Sequence, residues 1–136
     1  MKHLLIFFVW MLLSSLSSLA QTVSSDITKS SPEFAYRLYP TQNMWTFIKL
    51  DTRCGKMWQV QFSVEGSEYR FESNLSDVDL TELTGGDTVN GRFELYPTQN
   101  TYNFILLDRV IGNTYQVQWS IEPENRGIMV IGVNGN

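Results

Sequence analysis

Histidine occurs once in this chain, at His3, and cysteine once, at Cys54. His3 lies in an N-terminal stretch that reads as a cleavable leader, so the exported chain is expected to hold no histidine. That excludes Ser-His-Asp and Cys-His catalysis, histidine acid/base chemistry and histidine-ligated zinc. A single cysteine excludes an intramolecular disulfide, the usual reinforcement of a small exported domain. Cys54 is expected to act as a small hydrophobe in a turn; an intermolecular disulfide is the sharper alternative. Positive charge is also scarce, with 10 Lys and Arg against 14 Asp and Glu and a net charge of −4. Binders of nucleic acid gain affinity from clustered Lys and Arg, so no nucleic-acid partner is expected.

Long apolar runs are missing except near the start. Lys2 and His3 precede the apolar stretch Leu4 to Leu13, and small residues ending in Ser18-Leu19-Ala20 precede Gln21. This is the pattern of a secretory signal peptide over 1–20, and its apolar core is too short to span a bilayer. No Cys follows it to accept a lipid. Cleavage after Ala20 leaves 116 of the 136 residues, enough for one modest core rather than two. Without Lys2 the net charge moves to about −5. The chain is expected to be exported, periplasmic or extracellular, with no transmembrane segment in its mature form.

What the chain does contain is a duplication. Leu38-Tyr39-Pro40-Thr41-Gln42-Asn43 returns unchanged as Leu95-Tyr96-Pro97-Thr98-Gln99-Asn100, and from Leu38 to Glu65 the two copies share 16 of 28 positions. In each copy one stretch alternates strictly. Trp58, Val60, Phe62 and Val64 oppose Gln59, Gln61, Ser63 and Glu65; Tyr115, Val117, Trp119 and Ile121 oppose Gln116, Gln118, Ser120 and Glu122. Period two predicts half-buried strands, with the aromatic and β-branched side inward. Trp45 to Asp51 and Tyr102 to Asp108 read as strands apolar on both faces, suited to a central position. Asp51 to Gly55 and Asp108 to Gly112 predict hairpins in which the Asp caps turn amides and the Gly takes positive φ.

Strand-like segments at Phe34 to Tyr39, Arg92 to Tyr96, Tyr69 to Ser73 and Ile128 to Val133 complete the picture. The predicted fold is all-β: two four-stranded antiparallel meanders with pseudo-twofold symmetry, forming one sandwich or barrel over 21–136. Repeat 1 covers about 33–74, a connector 75–90 and repeat 2 about 91–133. Two propeller-like blades that close a ring only by oligomerising are a further option. In the connector, Ser76 and Asp79 predict a turn or two of helix. Asp77, Asp79 and Glu82 lack the oxygen spacing and glycine of a calcium loop, so they read as a solvated acidic linker and no metal or cofactor is expected.

The pattern Arg92-Phe93-x-Leu95-Tyr96-Pro97-Thr98-x-Asn100, then Tyr102-x-Phe104-x-x-Leu107-Asp108, Gly112 and Tyr115-Gln116-Val117-Gln118-Trp119-Ser120, resembles small bacterial exported proteins built from the same repeat. Repeat 1 matches through Trp45-x-Phe47 and the hairpin Leu50 to Trp58, with Cys54 where such hairpins usually carry Thr. The resemblance implies a β fold and export, and it implies no particular activity.

For function, the repeated Pro-Thr-Gln-Asn segment reads first as a hairpin loop. The candidate ligand-binding residues are Tyr39, Thr41, Gln42, Asn43 and Trp45, with their counterparts Tyr96, Thr98, Gln99, Asn100 and Tyr102. The aromatics among them flank the loops and are expected to reach solvent, where rings can stack on sugars. The Gln and Ser stripes could hydrogen-bond a sugar or an extended peptide, but a polar sheet face is also ordinary. A glycosidase would need only two carboxylates. The repeated acids Asp51, Glu65, Asp108 and Glu122 come as duplicates rather than as a differently tuned pair, which argues against that and leaves no catalytic residue assigned. A non-catalytic binding or accessory module, for a glycan or an envelope protein, is the leading expectation; the alternatives are a carboxylate-dependent glycoside hydrolase and a structural or assembly subunit. The apolar tail Ile128-Met129-Val130-Ile131 motivates the last of these, because an apolar edge strand invites pairing and an oligomer.

Overall fold

The computed structural model describes residues 34–132, so the leader expected at 1–20 lies outside the described residues. The fold is all-β, with two four-stranded antiparallel meanders. The first sheet runs β1 (Tyr36–Pro40), β2 (Thr46–Asp51), β3 (Met57–Gln61) and β4 (Phe71–Ser76). The second runs β5 (Phe93–Pro97), β6 (Asn103–Asp108), β7 (Thr114–Gln118) and β8 (Gly127–Val130). Among the described residues no barrel closes, because β1 and β4 end one sheet and β5 and β8 the other. The two sheets pack face to face around one shared apolar cluster that includes Ile48, Leu50, Phe104 and Leu106.

The hairpins form as their residues dictate. The Asp51 carboxylate accepts the amide of Arg53, and that of Asp108 accepts the amides of Val110 and Ile111. Gly55 and Gly112 then turn the chain with φ of 84° and 82°, a region that penalises any Cβ. At Gly55 a Cβ would also lie 2.7 Å from Leu80 Cδ1. The alternation of the next strand stops earlier than expected, at Gln61 and Gln118 rather than Glu65 and Glu122. The hydroxyls of Ser63 and Ser120 accept the amides of Glu65 and Glu122 and bend the chain out of the ladder. Val64 and Ile121, expected inward, are therefore exposed.

Burial in the two repeats is out of phase by one residue. On β6 and β7 the side chains of Phe104, Leu106, Tyr115 and Val117 are buried, the last two as the alternation predicts. On β2 and β3 the buried set is Ile48, Leu50, Met57 and Gln59, while Phe47, Lys49, Trp58 and Val60 turn to the outer side. The expectation that Trp58, Val60 and Phe62 point inward and Gln59 outward is thus reversed in repeat 1. Gln59 is only 5% exposed, and its Oε1 accepts the Ser120 amide of the other sheet at 3.0 Å. That bond removes the usual penalty for a buried amide.

The phase shift corrects the expected pseudo-twofold axis. A twofold axis buries the same positions in both copies. Here the Gln59 face of repeat 1 meets the Tyr115 face of repeat 2, so unlike faces join. The relation is head to tail.

The connector is tied down at both ends. Asp79, not Ser76, caps the short helix α1 (Leu80–Thr84), and Ser76 closes β4 instead. Leu80 donates its amide to Cys54 O and buries its side chain. Past the helix, Arg92 is fully buried beside Asp108, with a 2.8 Å contact from Nη2 to Oδ2. Its remaining donors reach the carbonyls of Gly85 and Asp87. A guanidinium that meets one carboxylate and two linker carbonyls has its donors used, which makes its burial tolerable. Burial alone would raise the Asp108 carboxyl pKa, but Arg92 and the two turn amides outweigh it and hold the group below the ordinary range.

Candidate functional site

The two Pro-Thr-Gln-Asn loops are self-contained hairpin closures. Thr41 Oγ1 donates to Thr46 O at 2.8 Å, and Thr98 Oγ1 does the same to Asn103 O at 2.8 Å. Asn43 Oδ1 accepts the Trp45 amide and Asn100 Oδ1 the Tyr102 amide, each at 2.9 Å. The loops also touch one another, with Thr101 Oγ1 donating to Gln42 Oε1 at 3.1 Å. A cleft of about 180 Å³ lies between them, lined by Thr41, Gln42, Thr98 and Asn100 among others. The threonine hydroxyls and asparagine oxygens of both loops are therefore engaged in shaping the turns.

Tyr39 departs from the expected exposure. It is buried where the sheets meet and lines a cavity of about 290 Å³ with Thr52 and Phe93. Its hydroxyl makes no hydrogen bond among the described residues, and burial raises its pKa. Its counterpart Tyr96 is exposed and donates to Glu94 Oε2 at 3.0 Å. The difference follows from the phase shift: the same position lies inside in one repeat and outside in the other.

Trp45 and Tyr102 do reach solvent, and each lines a groove beyond the loops. The larger groove, about 360 Å³, is formed by Tyr102, Gln118, Ser120, Ile121, Glu122 and Asn125, floored by the buried Trp119. The smaller, about 230 Å³, is formed by Trp45, Gln61, Ser63, Val64, Glu65 and Tyr69, with Phe62 in Trp119's place. Six of the seven residues in each groove correspond one to one across the duplication: ring, glutamine, second ring, serine, aliphatic and glutamate. The ring pairs are also alike, with Tyr102 and Trp119 centroids 5.3 Å apart and Trp45 and Phe62 5.3 Å apart.

Each groove is closed on one side by a short 3-10 turn, Ser67–Tyr69 in repeat 1 and Pro123–Asn125 in repeat 2. Gln118 is held by the second turn, donating from Nε2 to Asn125 O at 2.9 Å. Asn125 in turn donates to Glu122 Oε2 at 2.9 Å. Behind this, Arg126 donates to Ser120 O at 2.7 Å and reaches Ser73 Oγ of the other sheet at 3.0 Å. The arrangement presents an apolar floor, an aromatic wall and a rim of amide, hydroxyl and carboxylate. Its rings can stack and its rim can both donate and accept hydrogen bonds.

The structure thus separates residues that sequence proximity joined. Trp45 and Tyr102 belong to grooves, whereas Thr41, Gln42, Asn43, Thr98, Gln99 and Asn100 belong to the turns. The groove partners Gln61, Gln118, Glu65 and Glu122 were visible as repeated polar positions. What sequence alone did not reveal is that the chain bends after Gln61 and Gln118, which brings them beside the aromatics. No family model matches this chain, and no curated protein or solved structure matches it either.

Proposed function

We propose that this chain is an exported, non-catalytic glycan-binding module whose two contact sites are the grooves beside Trp45 and Tyr102. The carrying observation is their duplication: a ring, a glutamine, a serine and a glutamate recur at matching places around an open trough. An exposed ring stacks on a sugar face, and a mixed amide and carboxylate rim matches hydroxyls, which both donate and accept. Each groove has one lining glutamate, which favours binding over the two-carboxylate hydrolytic reaction. Two sites on one body can engage a polymer together and gain avidity without new contacts.

The test is a glycan array with the mature protein, followed by titration of any hit. Trp45→Ala and Tyr102→Ala should each weaken binding to a multivalent glycan about tenfold or more, and the double variant should abolish it. A blank array, or hits indifferent to both substitutions, would remove this reading. Release of reducing sugar that disappears in Glu122→Gln would replace it with the hydrolase.

A further inference from the structure

The outer face of the first sheet is a second copy of a surface that the second sheet buries. Phe93 is 1% exposed and Leu95 2%, whereas their counterparts Tyr36 and Leu38 are 54% and 56% exposed. Trp119 is buried and its counterpart Phe62 is exposed. At the other end, the outer face of the second sheet carries Tyr96, Ile105, Leu107 and Gln116, where the inner face of the first carries Tyr39, Ile48, Leu50 and Gln59. Tyrosine, isoleucine, leucine and glutamine therefore recur on a face that is used once inside the chain and left open once. The molecule holds one complete joint and the two unmatched halves of another.

We infer that these two halves join between copies, so that the chain self-associates head to tail through the outer face of its first sheet and the outer face of its second. The internal joint supplies the contacts. Within the chain, Phe93 N donates to Thr52 O at 2.8 Å and Ser120 N to Gln59 Oε1 at 3.0 Å. Between copies, Tyr36 N would meet Arg109 O of the neighbour, and Ser63 N would meet its Gln116 Oε1. Arg37 and Glu94 already pair with each other at 3.2 Å inside the chain, so the contact between copies draws on the apolar faces. Because unlike faces join, the association is heterologous and gives a ring if the rotation closes and a filament if it does not.

One position sets the strength of this contact. Lys49 stands where Leu106 is buried in the internal joint, lies over the Trp58 ring with Nζ 4.8 Å from its centroid, and pairs with Glu72. Covering that ion pair costs solvation that covering a leucine does not. The contact between copies is consequently weaker than the joint within each copy, and reversible.

Sedimentation equilibrium of the mature protein is expected to show a weight-average mass that rises with concentration. Leu38→Asp on one face and Ile105→Asp on the other should each give monomers. An equimolar mixture of these two variants should give dimers and nothing larger, since each retains the half that the other lacks. Lys49→Leu should raise the average mass at a fixed concentration, and it keeps the test informative if either Asp variant fails to fold. Three results would each overturn the proposal: a wild-type mass that stays monomeric to about millimolar concentration, a mixture that stays monomeric, or a symmetric dimer lost only on Leu38→Asp. Glycan binding is read separately on the Leu38→Asp monomer, so either proposal can fail without the other.

Discussion

At the scale of single residues, Arg92 has the largest consequence. It is fully buried, and its removal would strand the Asp108 carboxylate and release the carbonyls of Gly85 and Asp87. Arg92→Ala should lower unfolding free energy by about 3–5 kcal/mol, read from the urea midpoint at unchanged slope. The same pair sets an acid response. The Asp51, Asp79 and Asp108 carboxyl pKa values are all held below the ordinary value in the folded chain. A depressed folded pKa contributes stability that is present above the unfolded value of about 3.9 and is lost as pH falls through the folded value. The melting temperature should therefore hold near neutrality and drop steeply below about pH 4. Asp108→Asn should flatten that drop while lowering stability at neutral pH. A wild-type melting temperature unchanged down to pH 2 would contradict the pairing.

At the scale of elements, the instructive comparison is β3 with β7. Both carry the same alternation, and both form strands over its first half, ending at Gln61 and Gln118. The pattern says that two faces exist but not which one is inside, because that depends on what the other sheet offers. Repeat 1 buries Met57 and Gln59 because Ser120 supplies an amide to Gln59. The signal was present in Lys49, which pairs with Trp58 across β2 and β3 and so marks that face as outer. Repeat 2 has Leu106 at that place and buries it. The hairpin turns were legible because Asp and Gly act within five residues. The groove was not, because it depends on where a strand stops. A paired substitution tests the phase shift directly. Gln59→Ala should cost about 1–3 kcal/mol by leaving the Ser120 amide unpaired, whereas Gln116→Ala on the outer face should cost under about 0.5 kcal/mol. Equal costs would mean that the two glutamines have like surroundings.

At the scale of the whole molecule, duplication has produced two equivalent grooves on an asymmetric body. A second sheet was needed because one four-stranded meander exposes an apolar face on each side and has no core of its own. Joining two such units through unlike faces solves this for one side of each. The grooves survive because they lie at the strand ends, on the margin of the joint, where Ser120 gives its amide to Gln59 while still lining the trough. Cys54 fits this economy as a buried small side chain in the first hairpin, its thiol pKa raised by burial. It is poorly placed to attack or to pair with another chain.

The meeting of unlike faces also gives the protein a direction. A body with interchangeable ends can sit on a surface either way round; this one cannot. Whatever captures the sheet bearing Trp58 always leaves the sheet bearing Ile105 pointing outward, and both grooves keep one fixed heading relative to that surface. A protein so built is a vector.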